Sequence, residues 1–181
     1  SKNIFDTKLN GNDTHVNGVN SVGLGELQFL ARGDLYFIGN KPNPTISSGS
    51  LSGSAEGSIF IQENISAAGT ITLTGPMSVS ENATITLTAT GDASDVVLNS
   101  PVTWDSRELV LAAGRDIVLN GELDGAANGG GQLSLQYGLS TSDGIRDGRE
   151  ARLKIHAAVS FLAGENLTTQ LGSGADLLTY T

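Results

Sequence analysis

Apolar side chains recur along this chain as short alternating pairs, one residue apart, so that both members of a pair point to the same face of a strand. The pairs are Ile59 and Ile61, Ile71 and Leu73, Ile85 and Leu87, Val96 and Leu98, Leu109 and Leu111, Ile117 and Leu119, Leu133 and Leu135, and Leu153 and Ile155. A period of two predicts half-buried β-strands. Taking every other pair gives first positions 59, 85, 109, 133 and 153, and the interleaved set starts at 71, 96 and 117. The spacing of 20 to 26 residues, carrying at least two strands, predicts one coil of a β-solenoid. Such a coil cannot bury its inward side chains alone and is stabilised by stacking on its neighbours at about 4.8 Å. Six or seven coils over residues 23–181 would build a rod roughly 30 Å long.

A longer correspondence adds detail. Leu27, Phe29, Gly33, Asp34, Leu35, Phe37 and Gly39 stand in the order found 82 residues later at Leu109, Leu111, Arg115, Asp116, Ile117, Leu119 and Gly121. An acid before a strand thus occurs at Asp34, Asp95 and Asp116, where a short carboxylate suits a corner by accepting backbone N–H groups. Gly91, Gly114, Gly121 and Gly125 are expected at corners. Thr70, Thr72 and Thr74, with Thr84, Thr86 and Thr88, suit outward positions. Two loop insertions are expected, near 40–57, which carries Pro42 and Pro44, and near 137–150. Residues 1–22 read as a lead-in segment or edge. A β-sandwich is the structural competitor, but corner acids repeating in register favour the solenoid.

Composition agrees. Gly, Ser, Thr and Asn make up 72 of 181 residues, a mixture that disfavours helices. With 38% hydrophobic and 16% charged residues the chain has enough apolar material for a core and is not of disordered composition. A net charge of −9 argues against nucleic acid as a partner. The absence of cysteine excludes disulfides, thiol catalysis and zinc–thiolate sites. Apolar runs fall far short of a membrane-spanning helix. The chain starts at Ser1 with neither initiator methionine nor signal peptide, and reads as an internal piece of something longer.

The stretch Pro101-Val-Thr-Trp104-Asp-Ser-Arg-Glu-Leu109-Val-Leu-Ala-Ala-Gly114-Arg-Asp-Ile-Val-Leu-Asn120-Gly-Glu-Leu123 resembles the repeats of filamentous-haemagglutinin-like exoproteins of Gram-negative bacteria, and the tail over 157–181 resembles the segment that follows them. The resemblance covers residues 70–181 best. It implies a right-handed parallel β-helix, secreted or held at the cell surface, and exported through a partner outer-membrane transporter in two-partner secretion. The role it implies is that of an adhesin shaft displaying loops to a host-cell or neighbouring-cell receptor, protein or glycan. The export domain's asparagine–proline motifs are represented only by Asn43-Pro44, so the piece reads as shaft or ligand-binding segment.

Several residues are candidates for contact. Arg32-Gly33-Asp34 is the tripeptide that integrins read, although the repeat by itself accounts for Gly33 and Asp34. The charged insertion with Asp143, Arg146, Asp147, Arg149, Glu150 and Arg152 offers a protruding surface, or else a solvated loop of mutually compensating charges. Asn-x-Ser/Thr acceptors stand at Asn12, Asn64, Asn82 and Asn166. Trp104, Phe37, Tyr36, Tyr137 and Phe161 are the aromatics expected within the solenoid, with Phe37 and Phe161 in the core and Trp104 capping the stack at a corner. His15 and His156 have no acidic partners at ligand spacing, so no metal or other cofactor is expected. The competing class is a carbohydrate-binding or polysaccharide-lyase-like β-helix, but hydrolysis needs paired carboxylates and the sequence offers single corner acids. The chain is accordingly not read as an enzyme.

Overall fold

The computed structural model describes residues 7–10, 12–17, 25–38, 45–80, 84–126, 131–139, 151–160, 167–171 and 175–180. It opens with an antiparallel hairpin of β1 (Thr7–Asn10) and β2 (Asp13–Asn17). Strands then come in threes. The first coil holds β3 (Glu26–Ala31), β4 (Leu35–Ile38) and β5 (Thr45–Ser48); the second β6 (Ser50–Ala55), β7 (Ile59–Ile61) and β8 (Asn64–Ala67). The third holds β9 (Ile71–Thr74), β10 (Met77–Val79) and β11 (Thr84–Ala89); the fourth β12 (Val96–Leu98), β13 (Val102–Trp104) and β14 (Glu108–Ala113). The fifth holds β15 (Ile117–Leu119), β16 (Leu123–Asp124) and β17 (Gln132–Tyr137); the sixth β18 (Ala151–Ile155), β19 (Val159–Ser160) and β20 (Leu167–Leu171). β21 (Ala175–Tyr180) follows.

From β3 onward each strand pairs in parallel with the strand three places on, and β2 pairs in parallel with β4, which builds three walls. Wall A runs β2-β4-β7-β10-β13-β16-β19, with β1 antiparallel at its end. Wall B runs β5-β8-β11-β14-β17-β20, and wall C runs β3-β6-β9-β12-β15-β18-β21. The fold is therefore a parallel β-solenoid, and all eight apolar pairs read from the sequence lie on its strands.

The coil carries three strands, however, and this reassigns part of the repeat. Ile59 belongs to wall A and Leu153 to wall C, whereas Ile85, Leu109 and Leu133 belong to wall B. Wall A contributes only Ile59 and Ile61 to the pairs read from the sequence; inward side chains such as Met77 and Val79 or Leu123, on strands of two or three residues, were not among them. The loop expected over 40–57 is mostly wall as well. β5 and β6 stack in register on β8 and β9, and the Ser/Gly composition that suggested a loop supplies the small outward side chains of β6. The longest coil separates Ile117 from Leu153, and its extra length falls after β17.

The interior is filled mainly by aliphatic side chains stacked along all three walls. Leu35, Ile59, Ile71, Val96, Leu109, Ile117 and Leu133 are fully buried, each worth about 1.5–3 kcal/mol relative to exposure. Trp104 does not cap the stack at a corner. It ends β13 pointing inward, with no exposed surface. The next residue in its column is Gly125, which is thus a packing residue and not a corner. A Cβ there would stand 2.7 Å from Trp104 Cε2 and closer still to Cζ2. Phe29 and Phe37 are also interior, packed edge to face at 5.7 Å.

Candidate functional site

Arg32, Gly33 and Asp34 form the corner between β3 and β4. Gly33 packs directly on the hairpin beneath it, its N–H donating to the Asn12 carbonyl at 2.8 Å, and a Cβ there would collide with the Asp13 carboxylate. Asp34 is held from three directions. Its own N–H donates to Asp13 Oδ1 at 2.9 Å, its Oδ1 accepts the Ser58 N–H at 2.8 Å, and its Oδ2 accepts the Tyr36 hydroxyl at 3.2 Å. Both carboxylate oxygens are therefore engaged, Oδ1 in tying this coil to the next and Oδ2 in holding Tyr36 of its own coil. Arg32 is exposed.

Asp95 and Asp116 do equivalent work at a different corner, the one between walls B and C. Asp95 Oδ1 accepts the Asp116 N–H at 3.0 Å, and Asp116 Oδ1 accepts the Arg152 N–H at 2.8 Å. Each acid also holds a cation from the following coil. Arg115 Nε donates to Asp95 Oδ1 at 2.8 Å within a two-pronged ion pair, and Lys154 Nζ lies 2.6 Å from Asp116 Oδ2. The hydrogen bond from Arg115 to Asp95 raises the guanidinium's pKa above its ordinary value, against an opposing effect of burial. The 82-residue correspondence in the sequence thus aligns two different corners. Asp34 turns the chain into wall A, and Asp116 turns it into wall C. The likeness is one of construction, an acid accepting the next coil's N–H, and not of position in the coil.

Other ladders follow the same plan. Asn64 Oδ1 accepts the Thr86 N–H at 2.8 Å, so this acceptor asparagine serves the wall. Asn120 donates to Asn99 Oδ1 at 2.9 Å, and Asn99 to Thr74 Oγ1 at 3.0 Å, along one exposed edge of wall C. Asn12 is exposed. Asn82 and Asn166 lie outside the described residues, as do Asp143, Arg146, Asp147, Arg149 and Glu150. Of the charged insertion only Arg152 is described; its side chain is exposed. Phe161 also lies outside the described residues.

The outer face of wall A carries a feature the sequence reading missed. His15, Tyr36 and Phe60 are in register on β2, β4 and β7 and stack face to face, with centroids 4.4 and 4.7 Å apart and interplanar angles of 2° and 11°. All three are half-buried. Burial, followed by the hydrogen bond to Asp34 and the charges of Asp34 and Asp13, raises the Tyr36 phenol above its ordinary pKa. Phe60 sits between two inward isoleucines, so its outward direction follows from strand alternation. The signal was present, but a three-residue strand makes one outward aromatic inconspicuous.

Among the described residues, no three His, Asp or Glu side chains form a group that could hold a metal ion. No helix there is long and apolar enough to cross a membrane. No protein-family model, curated protein or solved structure matches this chain.

Proposed function

We propose that this chain is a shaft segment of a secreted or surface-held bacterial adhesin, presenting the outer faces of a stiff β-solenoid to a receptor on a host or neighbouring cell. The observation that carries this reading is the continuity of the three parallel walls, locked rung to rung by side-chain acceptors at the corners. A rod built this way holds outward residues of successive coils in fixed register, which is what a display surface needs. The resemblance of residues 101–123 to filamentous-haemagglutinin-like repeats supports the same reading, and with it export through a partner outer-membrane transporter. The mechanism is presentation without bond chemistry: polar ladders keep the faces soluble, and irregular features on them make contact.

Beads coated with the folded 181-residue chain should adhere to epithelial or bacterial cells, and soluble chain should compete them off. Absence of adherence by chain shown to be folded by amide exchange would overturn the reading.

A further inference from the structure

Asn120 and Gly121 are each dictated by the stacking of the fourth and fifth coils, and together they make a reactive pair. Asn120 follows β15 directly. Its N–H donates to the Leu98 carbonyl at 2.9 Å, which sets it over Asn99. Its exposed side chain continues a ladder in which Asn120 Nδ2 donates to Asn99 Oδ1 at 2.9 Å and Asn99 Nδ2 donates to Thr74 Oγ1 at 3.0 Å. The ladder thus selects a carboxamide at 120. Gly121 is selected by the coil beneath, because a Cβ there would collide with the Ser100 carbonyl and the Pro101 nitrogen. One coil earlier the same ladder position belongs to Asn99, but the residue after it is Ser100.

The chain has Asn-Gly steps at Asn10, Asn17, Asn120 and Asn128, and only at Asn120 are both residues described. An asparagine is thermally labile, and most so before glycine, where no Cβ obstructs the approach of the next main-chain nitrogen to the side-chain carbonyl carbon. Two features of this corner leave that route open. The Asn120 carboxamide stands at the surface and not in the packed interior. The Gly121 N–H enters no hydrogen bond among the described residues, whereas those of Asn120 and Leu123 donate to the Leu98 and Ala158 carbonyls. What restrains the carboxamide is the single neutral bond from its Nδ2 to Asn99.

We propose that Asn120 is a site of spontaneous deamidation in the folded chain. The Gly121 nitrogen bonds to Asn120 Cγ and gives up its proton, and ammonia leaves, which closes a five-membered succinimide. Water then adds at either ring carbonyl and opens the ring to aspartate or to isoaspartate. The sum is one water consumed and one ammonia released, with no change of oxidation state. Either acid removes the donor that Asn99 Oδ1 accepts and puts a carboxylate on the exposed edge of wall C. Isoaspartate also lengthens the main chain by one carbon, next to a glycine already in backbone contact with Ser100 and Pro101, and so disturbs the stacking of β16 on β13. This site does not depend on the attachment reading.

The test is incubation of the folded 181-residue chain at mildly alkaline pH, with released ammonia, peptide fragmentation and isoaspartate-specific methylation as readouts. The mass change from amide to acid should appear at residue 120 at least about tenfold faster than at Asn99, whose following serine hinders the same attack. Asn99→Ala removes the bond that restrains the carboxamide and should accelerate conversion roughly two- to tenfold, the factor set by one neutral hydrogen bond. Asn120→Gln, which cannot close a five-membered ring, should abolish the signal at 120. The isoaspartyl chain, separated by ion exchange, should denature before the parent. Conversion at 120 no faster than at Asn99, conversion only after unfolding in urea, or a folded Asn99→Ala chain that reacts at the parent rate would each overturn the proposal.

Discussion

Replacing Asp34 separates a structural corner from a receptor motif. Asp34→Ala deprives the Ser58 N–H of its acceptor at 2.8 Å and the Tyr36 hydroxyl of its acceptor at 3.2 Å. A backbone N–H bonded to a carboxylate is worth about 1.5–3 kcal/mol, and the longer phenol bond, at a half-buried position, adds about 0.5. The expected loss is about 2–3 kcal/mol, concentrated between the first and second coils because stability in a solenoid is a sum of neighbour terms. Amide exchange at Ser58 should then accelerate roughly 30- to 160-fold, while amides in wall B near Leu133 should be unchanged. Asp34→Asn keeps an acceptor oxygen in the same place and should cost about 1 kcal/mol, since neutral hydrogen bonds are roughly half as strong as charged ones. The isosteric amide also removes the charge that an integrin-type contact requires, so cell attachment by Asp34→Asn should equal that of the parent chain. Two results would refute the reasoning. One is Asp34→Ala within 0.5 kcal/mol of the parent, taken as the lower edge of a single hydrogen bond's roughly 0.5–1.5 kcal/mol. The other is a folded Asp34→Asn that no longer attaches, which would return Arg32, Gly33 and Asp34 to recognition.

Three further outcomes follow from the same structure. Gly125→Ala drives a Cβ into the fully buried Trp104 ring and should cost about 1–3 kcal/mol, read from the denaturation midpoint of the single tryptophan's fluorescence; an unchanged midpoint would show that the ring can move. Burial raises the phenol pKa of both Tyr36 and Tyr137, so the folded state holds these protons more tightly than the unfolded chain does. Stability should therefore be fully present below about pH 10 and fall as pH rises through the folded values, and Tyr137→Phe should flatten that decline in urea titrations; a flat profile would contradict it. Asp116→Ala leaves the Arg152 N–H and the Lys154 ammonium without their shared acceptor and should cost about 2–4 kcal/mol, whereas Lys154→Ala, at a partly exposed pair, should cost under about 1; equal costs would place the value in the ion pair and not in the backbone bond.

Wherever a strand was long enough to show alternation, the wall could be read directly. Ile85 and Leu87, or Leu109 and Leu111, declare two inward side chains with polar or small neighbours, and their buried positions match. The third wall was not separated from the other two, because the one pair it contributed, Ile59 and Ile61, reads locally like any pair of walls B and C. Three residues such as Met77, Ser78 and Val79 make a strand only because β7 and β13 pair with both of its edges, and that information sits 18 and 25 residues away along the chain. The 40–57 stretch misled for a related reason. Gly and Ser favour turns in isolation, yet Leu51 is buried and Ser52 and Ser54 face outward on β6, where a stacked coil needs small side chains more than intrinsic strand preference. Corner acids could be recognised one at a time, but not which corner each serves, because the local pattern before β4 and before β15 is the same.

That ambiguity bears on how a sequence of this kind should be searched for contact residues. In a stacked coil, a motif residue can be committed to the coil above or below it, and Asp34 is held by Asp13, Tyr36 and Ser58, two of which lie more than twenty residues away. A tripeptide that reads as an exposed recognition loop can therefore have its key carboxylate spent on register. The converse holds for Phe60. Nothing beside it in sequence marks it as part of a ring stack, which forms only because β2 and β4 place His15 and Tyr36 in register with it. Surface chemistry in this fold is written across coils, at intervals of about one turn, so the informative comparison is between residues that share a rung position. By that measure the outward column His15, Tyr36, Phe60, Ser78, Thr103 and Asp124 changes character partway along the rod, from stacked rings to hydroxyls to a carboxylate.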